Sequence, residues 1–122
     1  MYEISVKTQF SAGHHLAGYR GSCAKPHGHN WEVQVFIRGE ELDKLGMLVD
    51  FREVKKAVQE ILAELDHTDL NTLPAFAKRN PTSENIARHL YGKLSGKFNA
   101  AGRAVSRVMV SETPQTSVSY SE

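Results

Sequence analysis

The chain is expected to fold as an α+β domain with the element order ββααββ, a four-stranded antiparallel sheet carrying two helices on one face. Three observations predict this. A period-2 apolar pattern opens the chain and recurs from about Asn30; two stretches of helical period follow, starting at Asp50 and Thr82; two further strand-like runs close it. With 122 residues and no internal repeat, low-complexity tract or linker, residues 1–122 are read as one domain with a single core.

In the first strand, Tyr2, Ile4, Val6, Phe10 and Ala12 alternate with Glu3, Ser5, Lys7, Gln9 and Ser11, the signature of a half-buried strand. The second, Asn30 to Arg38, puts Trp31, Val33, Val35 and Ile37 on one face, interrupted only by Phe36. Two such strands joined by a loop pair most simply as antiparallel neighbours. Asp50 is an expected helix N-cap with Glu53 three residues on, close to a capping box, and Val54, Ala57, Val58, Ile61, Leu62 and Leu65 form an apolar stripe ending near Leu65. Thr82 is the expected N-cap of a second helix with Ile86, Leu90 and Leu94 inward. Gly96 to Gly102 reads as a loop. Ala104 to Glu112 reads as a strand with Val108 and Val110 on one face and Val105 and Met109 on the other, and Thr116 to Tyr120 as a last short strand.

Composition excludes several function classes. Fifteen basic against fourteen acidic residues give no electrostatic reason to expect nucleic acid or a membrane surface, so a small-molecule partner is expected. A single cysteine closes no intrachain disulfide, and the opening residues alternate instead of forming an apolar block; a cytoplasmic protein without a signal peptide or membrane span is expected.

Chemistry concentrates in Gly13 to Trp31, which holds four of the six histidines and the only cysteine and tryptophan. If the first two strands are antiparallel neighbours, His14 at the end of one and His27 and His29 at the start of the other reach the same rim. Residues two apart on a strand share a face, so His14, His27 and His29 converge while His15 points away. A one-residue bulge would reverse the choice between His14 and His15. Three imidazoles with an open fourth position are the pattern of a catalytic zinc site, although histidine pairs also occur by chance on loops.

Cys23 is open to two readings, a small buried hydrophobe or a thiolate base favoured by the positive surroundings of its loop. Asp66-His67 could be an oriented acid–base pair, but adjacent residues at a helix end are more simply structural. Glu112 would ordinarily be solvated; in a pocket it would accept strongly from a planar donor pair. Glu84 is explained by the helix dipole.

Taken together, Phe10-Ser-Ala-Gly-His14-His-Leu16, Cys23-x-x-x-His27-Gly-His29-Asn-Trp31, Gly46-Met-Leu-Val-Asp50-Phe51, Leu65-Asp-His67, Asn80-Pro-Thr-Ser-Glu-Asn85 and Glu112-Thr113 resemble, in order and over nearly the whole chain, the 6-pyruvoyl- and 6-carboxy-tetrahydropterin synthase family. The Cys-x3-His-Gly-His spacing is more similar to the bacterial carboxy branch of queuosine and deazapurine biosynthesis, since animal pyruvoyl enzymes have two more residues between cysteine and histidine.

The resemblance implies zinc held by His14, His27 and His29, Cys23 as the proton-abstracting base assisted by Asp66 and His67, and Glu112 as the anchor of the pterin 2-amino-pyrimidinone edge. It implies the substrate 7,8-dihydroneopterin triphosphate and the products 6-carboxytetrahydropterin, acetaldehyde and triphosphate, which is carbon–carbon lyase chemistry. It further implies a tunnelling fold (T-fold) whose trimers stack into a homohexamer, with active sites between subunits. Arg20, Lys25, Lys78 and Arg79 are available for the triphosphate, though each alone reads as a surface charge. The rival readings are a 6-pyruvoyl-tetrahydropterin synthase and a non-catalytic zinc- or pterin-binding module.

Overall fold

Two long strands, β1 (Tyr2–His14) and β2 (His27–Gly39), carry the architecture in a computed structural model that describes residues 1–122 apart from the side chain of Ser22. Their antiparallel ladder runs unbroken from Tyr2 opposite Gly39 to His14 opposite His27. Both strands are therefore longer than the alternation predicts, because they continue through the glycine- and histidine-rich residues at the loop. Helix α1 (Phe51–Leu62), a two-residue strand β3 (Thr68–Asp69), helix α2 (Ser83–Phe98) and strands β4 (Arg103–Thr113) and β5 (Thr116–Tyr120) follow.

The sheet order is β3-β1-β2-β4-β5. The sheet thus has five strands instead of the expected four, because Thr68 and Asp69 pair in parallel with Ala12 and Gly13. No periodicity marks so short a strand. What makes it is the preceding residue pair: Ser11 N–H donates to Asp66 Oδ1 at 2.9 Å and His67 N–H donates to Ser11 O at 2.6 Å, docking the chain on the edge of β1.

Val6, Phe10, Trp31, Val33, Val35 and Ile37 bury one face of the sheet against α1 and α2 in a single apolar cluster. Trp31 is fully buried, stacks on Phe10 at 5.9 Å and donates its indole N–H to Ala12 O at 3.2 Å, so its polar tip is satisfied inside the core. The opposite face is polar, with Lys7 paired to Glu32 at 3.5 Å and Gln34 donating to Ser5.

Three local expectations need correction. On β4, Phe36 pairs with Arg107 but Ile37 with Val105, so Ser106 is an extra residue in a bulge. The bulge returns Val105 to the core face beside Val108 and Val110, instead of placing it with Met109. Phe36 lies on the outer face by the regular alternation of β2, and there the Arg107 guanidinium covers its ring at 3.8 Å. Second, α2 continues through Gly96 to Phe98, because burial of Leu94 and Phe98 outweighs the roughly 1 kcal/mol helix penalty of one glycine. Third, α1 ends at Leu62 and not near Leu65; Leu65 N–H still bonds Leu62 O and its side chain is buried in the turn beyond. Both predicted N-caps are present, Asp50 accepting from Arg52 N–H and Thr82 from Asn85 N–H.

Candidate metal centre and active site

The unbroken β1–β2 register places His14 directly opposite His27, with His29 two residues further along the same face. Their ring centroids lie 4.5 Å (His14–His27), 4.8 Å (His27–His29) and 5.2 Å (His14–His29) apart, every pair edge to face. Trp31 underlies the group, 4.9 Å from His14 and 5.3 Å from His29, so the apolar core acts as a rigid floor. His15 lies outside this group.

Backbone carbonyls orient two of the rings. His14 Nδ1 lies 2.8 Å from Pro81 O and His27 Nδ1 lies 2.7 Å from Lys25 O. A carbonyl only accepts, so each Nδ1 carries the proton and each Nε2 presents a lone pair. Glu112, near the end of β4, brings Oε1 to 3.2 Å from His14 Nε2 and 2.7 Å from His29 Nε2. Neither Nε2 has a hydrogen-bond partner of acceptable alignment, although both are buried. Burial holds the His29 pKa below its ordinary value, opposed by the Glu112 charge and helped by His14 and His27.

The Nε2 lone pairs of His14 and His27 and the Glu112 carboxylate oxygen crowd one point, an arrangement that a cation placed among them relieves. One ligand atom from each of His14, His27, His29 and Glu112 lies within 4.8 Å of the others, so this group could hold a metal ion. Three imidazoles with an oxygen donor suit zinc, although other divalent ions accept the same set.

A second layer holds the segment after His14. Asn71 takes both backbone groups of His15, accepting from its N–H at 2.9 Å and donating to its carbonyl at 3.1 Å. Asn80 does the same for Ala17, at 3.0 Å in both bonds. Asn85 in turn donates to Asn80 O at 2.8 Å. Side-chain amides here replace the missing strand neighbour, two residues apart, so the chain leaving His14 is held as if still in a sheet. Sequence reasoning gave no role to Asn71, Asn80 or the Pro81 carbonyl; Asn80 entered only within the Asn80-Pro-Thr-Ser-Glu-Asn85 run, beside the Thr82 N-cap.

The other candidates lie around this centre. Cys23 sits half-buried in the turn Ser22–Ala24, its carbonyl accepting from Leu16 N–H at 2.9 Å, outside the group of ligand atoms. Asp66 and His67 form a contact of 3.0 Å between Oδ2 and Nδ1 on the edge of β1. The bond from Ser11 N–H is the main cause holding the Asp66 carboxyl below its usual range, and His67 adds to it. His67 is 81% exposed and adopts φ of 56°, a left-handed conformation uncommon outside glycine. The pair therefore faces outward at a sheet edge. Glu112, expected to anchor a ring, sits against the histidines.

Comparison with known proteins matches this fold. Residues 3–122 match the family model described as 6-pyruvoyl tetrahydropterin synthase. The chain is similar to a putative 6-carboxy-5,6,7,8-tetrahydropterin synthase of Archaeoglobus fulgidus, 40% identical over 89% of this chain and 86% of that protein. It is also similar to the 6-pyruvoyl tetrahydrobiopterin synthase of Homo sapiens, 33% identical over 97% of this chain and 90% of that protein. The solved structure of Caenorhabditis elegans 6-pyruvoyl tetrahydropterin synthase superposes with a TM-score of 0.88 at 28% identity, covering 99% of this chain and 95% of that one.

Proposed function

This chain belongs to the 6-pyruvoyl tetrahydropterin synthase family, and on that footing we propose that it is a zinc-dependent 6-carboxy-5,6,7,8-tetrahydropterin synthase. The substrates are 7,8-dihydroneopterin triphosphate and one water, and the products are 6-carboxytetrahydropterin, acetaldehyde and triphosphate, in a route to queuosine or related 7-deazapurines. The observation that carries this reading is the convergence of His14, His27, His29 and Glu112 on one point, with two buried Nε2 atoms otherwise unpartnered.

His14, His27 and His29 would hold the zinc. When bound, it supplies Lewis acidity to the substrate's vicinal hydroxyls and acidifies the neighbouring carbon-bound proton. The Cys23 thiolate takes that proton, and Asp66 orients His67 to move protons between side chain and ring. Glu112, whose carboxylate lies against the metal ligands, would face the ion and the substrate's reacting side chain instead of the pterin 2-amino-pyrimidinone edge. Because Asp66 and His67 face outward at the β1 edge, they serve a site completed by another subunit. The part of the β1 edge that β3 leaves unpaired, the open edge of β5 and the polar outer face support a closed ring of sheets, with trimers paired into a hexamer.

The relatives named for the carboxy product, in Archaeoglobus fulgidus and in Bacillus subtilis at 30% identity over 98% of this chain, support this branch. The human relative's name favours a second reading, a pyruvoyl synthase that stops before side-chain cleavage. Incubating zinc-loaded protein with dihydroneopterin triphosphate separates them. Acetaldehyde with a carboxypterin is expected; a pyruvoyl product without acetaldehyde assigns the second reading.

A further inference from the structure

Away from the histidine cluster, the segment between β3 and α2 borders two clefts of about 380 and 490 Å³ that share Phe76 and Arg79 in their walls. Each has a size ordinary for small-molecule sites, ~300–1,000 Å³. Their walls carry Lys78, Arg79, Arg88 and Lys93 with His15 and His89, and no carboxylate. For a chain of net charge +1 this is a local concentration of four permanent cations.

None of the four has a carboxylate partner within 4.0 Å among the described residues. Glu64 is the acid that acts on His89, and it lines neither cleft. Positions 85, 88, 89, 92 and 93 are one or two turns apart on α2, so their side chains share a side of the helix. Phe76 contributes an apolar wall, meeting the His89 ring edge to face at 5.7 Å.

Unpaired cations spread over adjoining clefts match an extended anion better than a single carboxylate, and guanidinium forks suit phosphate oxygens. We propose that this groove binds an oligophosphate chain. It begins at His15, on the opposite side of the backbone from His14. Two sources supply the same chemistry: the triphosphate tail of the pterin substrate, in which case the inference rests on the function proposed above, or a free oligophosphate.

The test is calorimetric titration of the intact, zinc-loaded protein with inorganic tripolyphosphate, without pterin, so that its outcome does not depend on turnover. The Arg88→Gln/Lys93→Gln variant is expected to lose at least tenfold in affinity while a Lys55→Gln/Lys56→Gln control on α1 keeps it. No binding by the wild-type protein, or equal losses in both variants, overturns the proposal. Where binding is present, steady-state kinetics names the source. A raised KM at unchanged kcat in Arg88→Gln/Lys93→Gln, with competitive inhibition by tripolyphosphate, assigns the substrate tail; unchanged KM without competition assigns a free oligophosphate.

Discussion

His14 donates its Nδ1–H to the carbonyl oxygen of Pro81 at 2.8 Å, across 67 residues of sequence. The bond leaves Nε2 as the lone pair that faces the cluster, and ties the candidate metal centre to the turn that starts α2. Asn80 precedes that proline and grips Ala17 through two further bonds, so one short segment sets both the ring and the backbone behind it.

Removing that grip is expected to loosen the centre without unfolding the domain. Asn80→Ala deletes two bonds at a partly exposed position and should cost about 1–2 kcal/mol of stability. Zinc affinity should fall by about 10–100-fold, as for other groups that orient ligands. Urea denaturation and competitive zinc titration check the two effects separately.

The ligand set makes a sharper distinction between neighbours. His14→Ala or His27→Ala should reduce bound zinc, measured by atomic absorption, to well below one ion per chain. His15→Ala should retain it, since His15 lies outside the ligand group. Zinc loss in His15→Ala with retention in His14→Ala would reverse the assignment.

Cys23 lies outside the ligand group as well. Cys23→Ala should therefore keep its zinc while turnover falls by about 10³-fold or more. Undiminished turnover in Cys23→Ala would leave the thiol no part in proton removal.

His89 supplies a pH signature. Burial, aided by the Lys93 charge and opposed by Glu64, lowers its pKa from 6.5. The unfolded chain thus binds this proton first as the pH falls, so the stabilisation is complete above 6.5 and is lost on descending through the lower folded-state value. Denaturant midpoints measured from pH 8 to 5 should decline in the wild-type protein and decline less steeply in His89→Gln, the remainder coming from His29, whose pKa burial also lowers. Asp66, whose pKa is lowered from 3.8, contributes in a separate and more acidic window: its stabilisation is present above 3.8 and is lost below it, through the folded-state value.

Gly39 tests the packing at the far end of β2. A Cβ there would run into the Gly102 carbonyl oxygen and, at 2.7 Å, into Leu48 Cδ1. Gly39→Ala should destabilise by about 1–3 kcal/mol, read from the denaturation midpoint, with the zinc content unchanged.

Much of this molecule was legible in one dimension. The alternation of Tyr2 to Ala12 and of Trp31 to Ile37 determined two strands and their inward faces, and the two-residue period carried His14, His27 and His29 to one rim, because strand side chains repeat every second residue. Helix starts at Asp50 and Thr82 followed from caps that act within three residues. What only the tertiary structure decided involves groups distant in sequence or without a side-chain pattern: the Ser106 bulge that returns Val105 to the core, the docking of Asp66 and His67 on Ser11, the Pro81 carbonyl behind His14, and the approach of Glu112 to two imidazoles. Backbone carbonyls carry no residue signature, and asparagine amides bond any backbone they reach. Which chain segment meets them is therefore settled by packing of the whole domain.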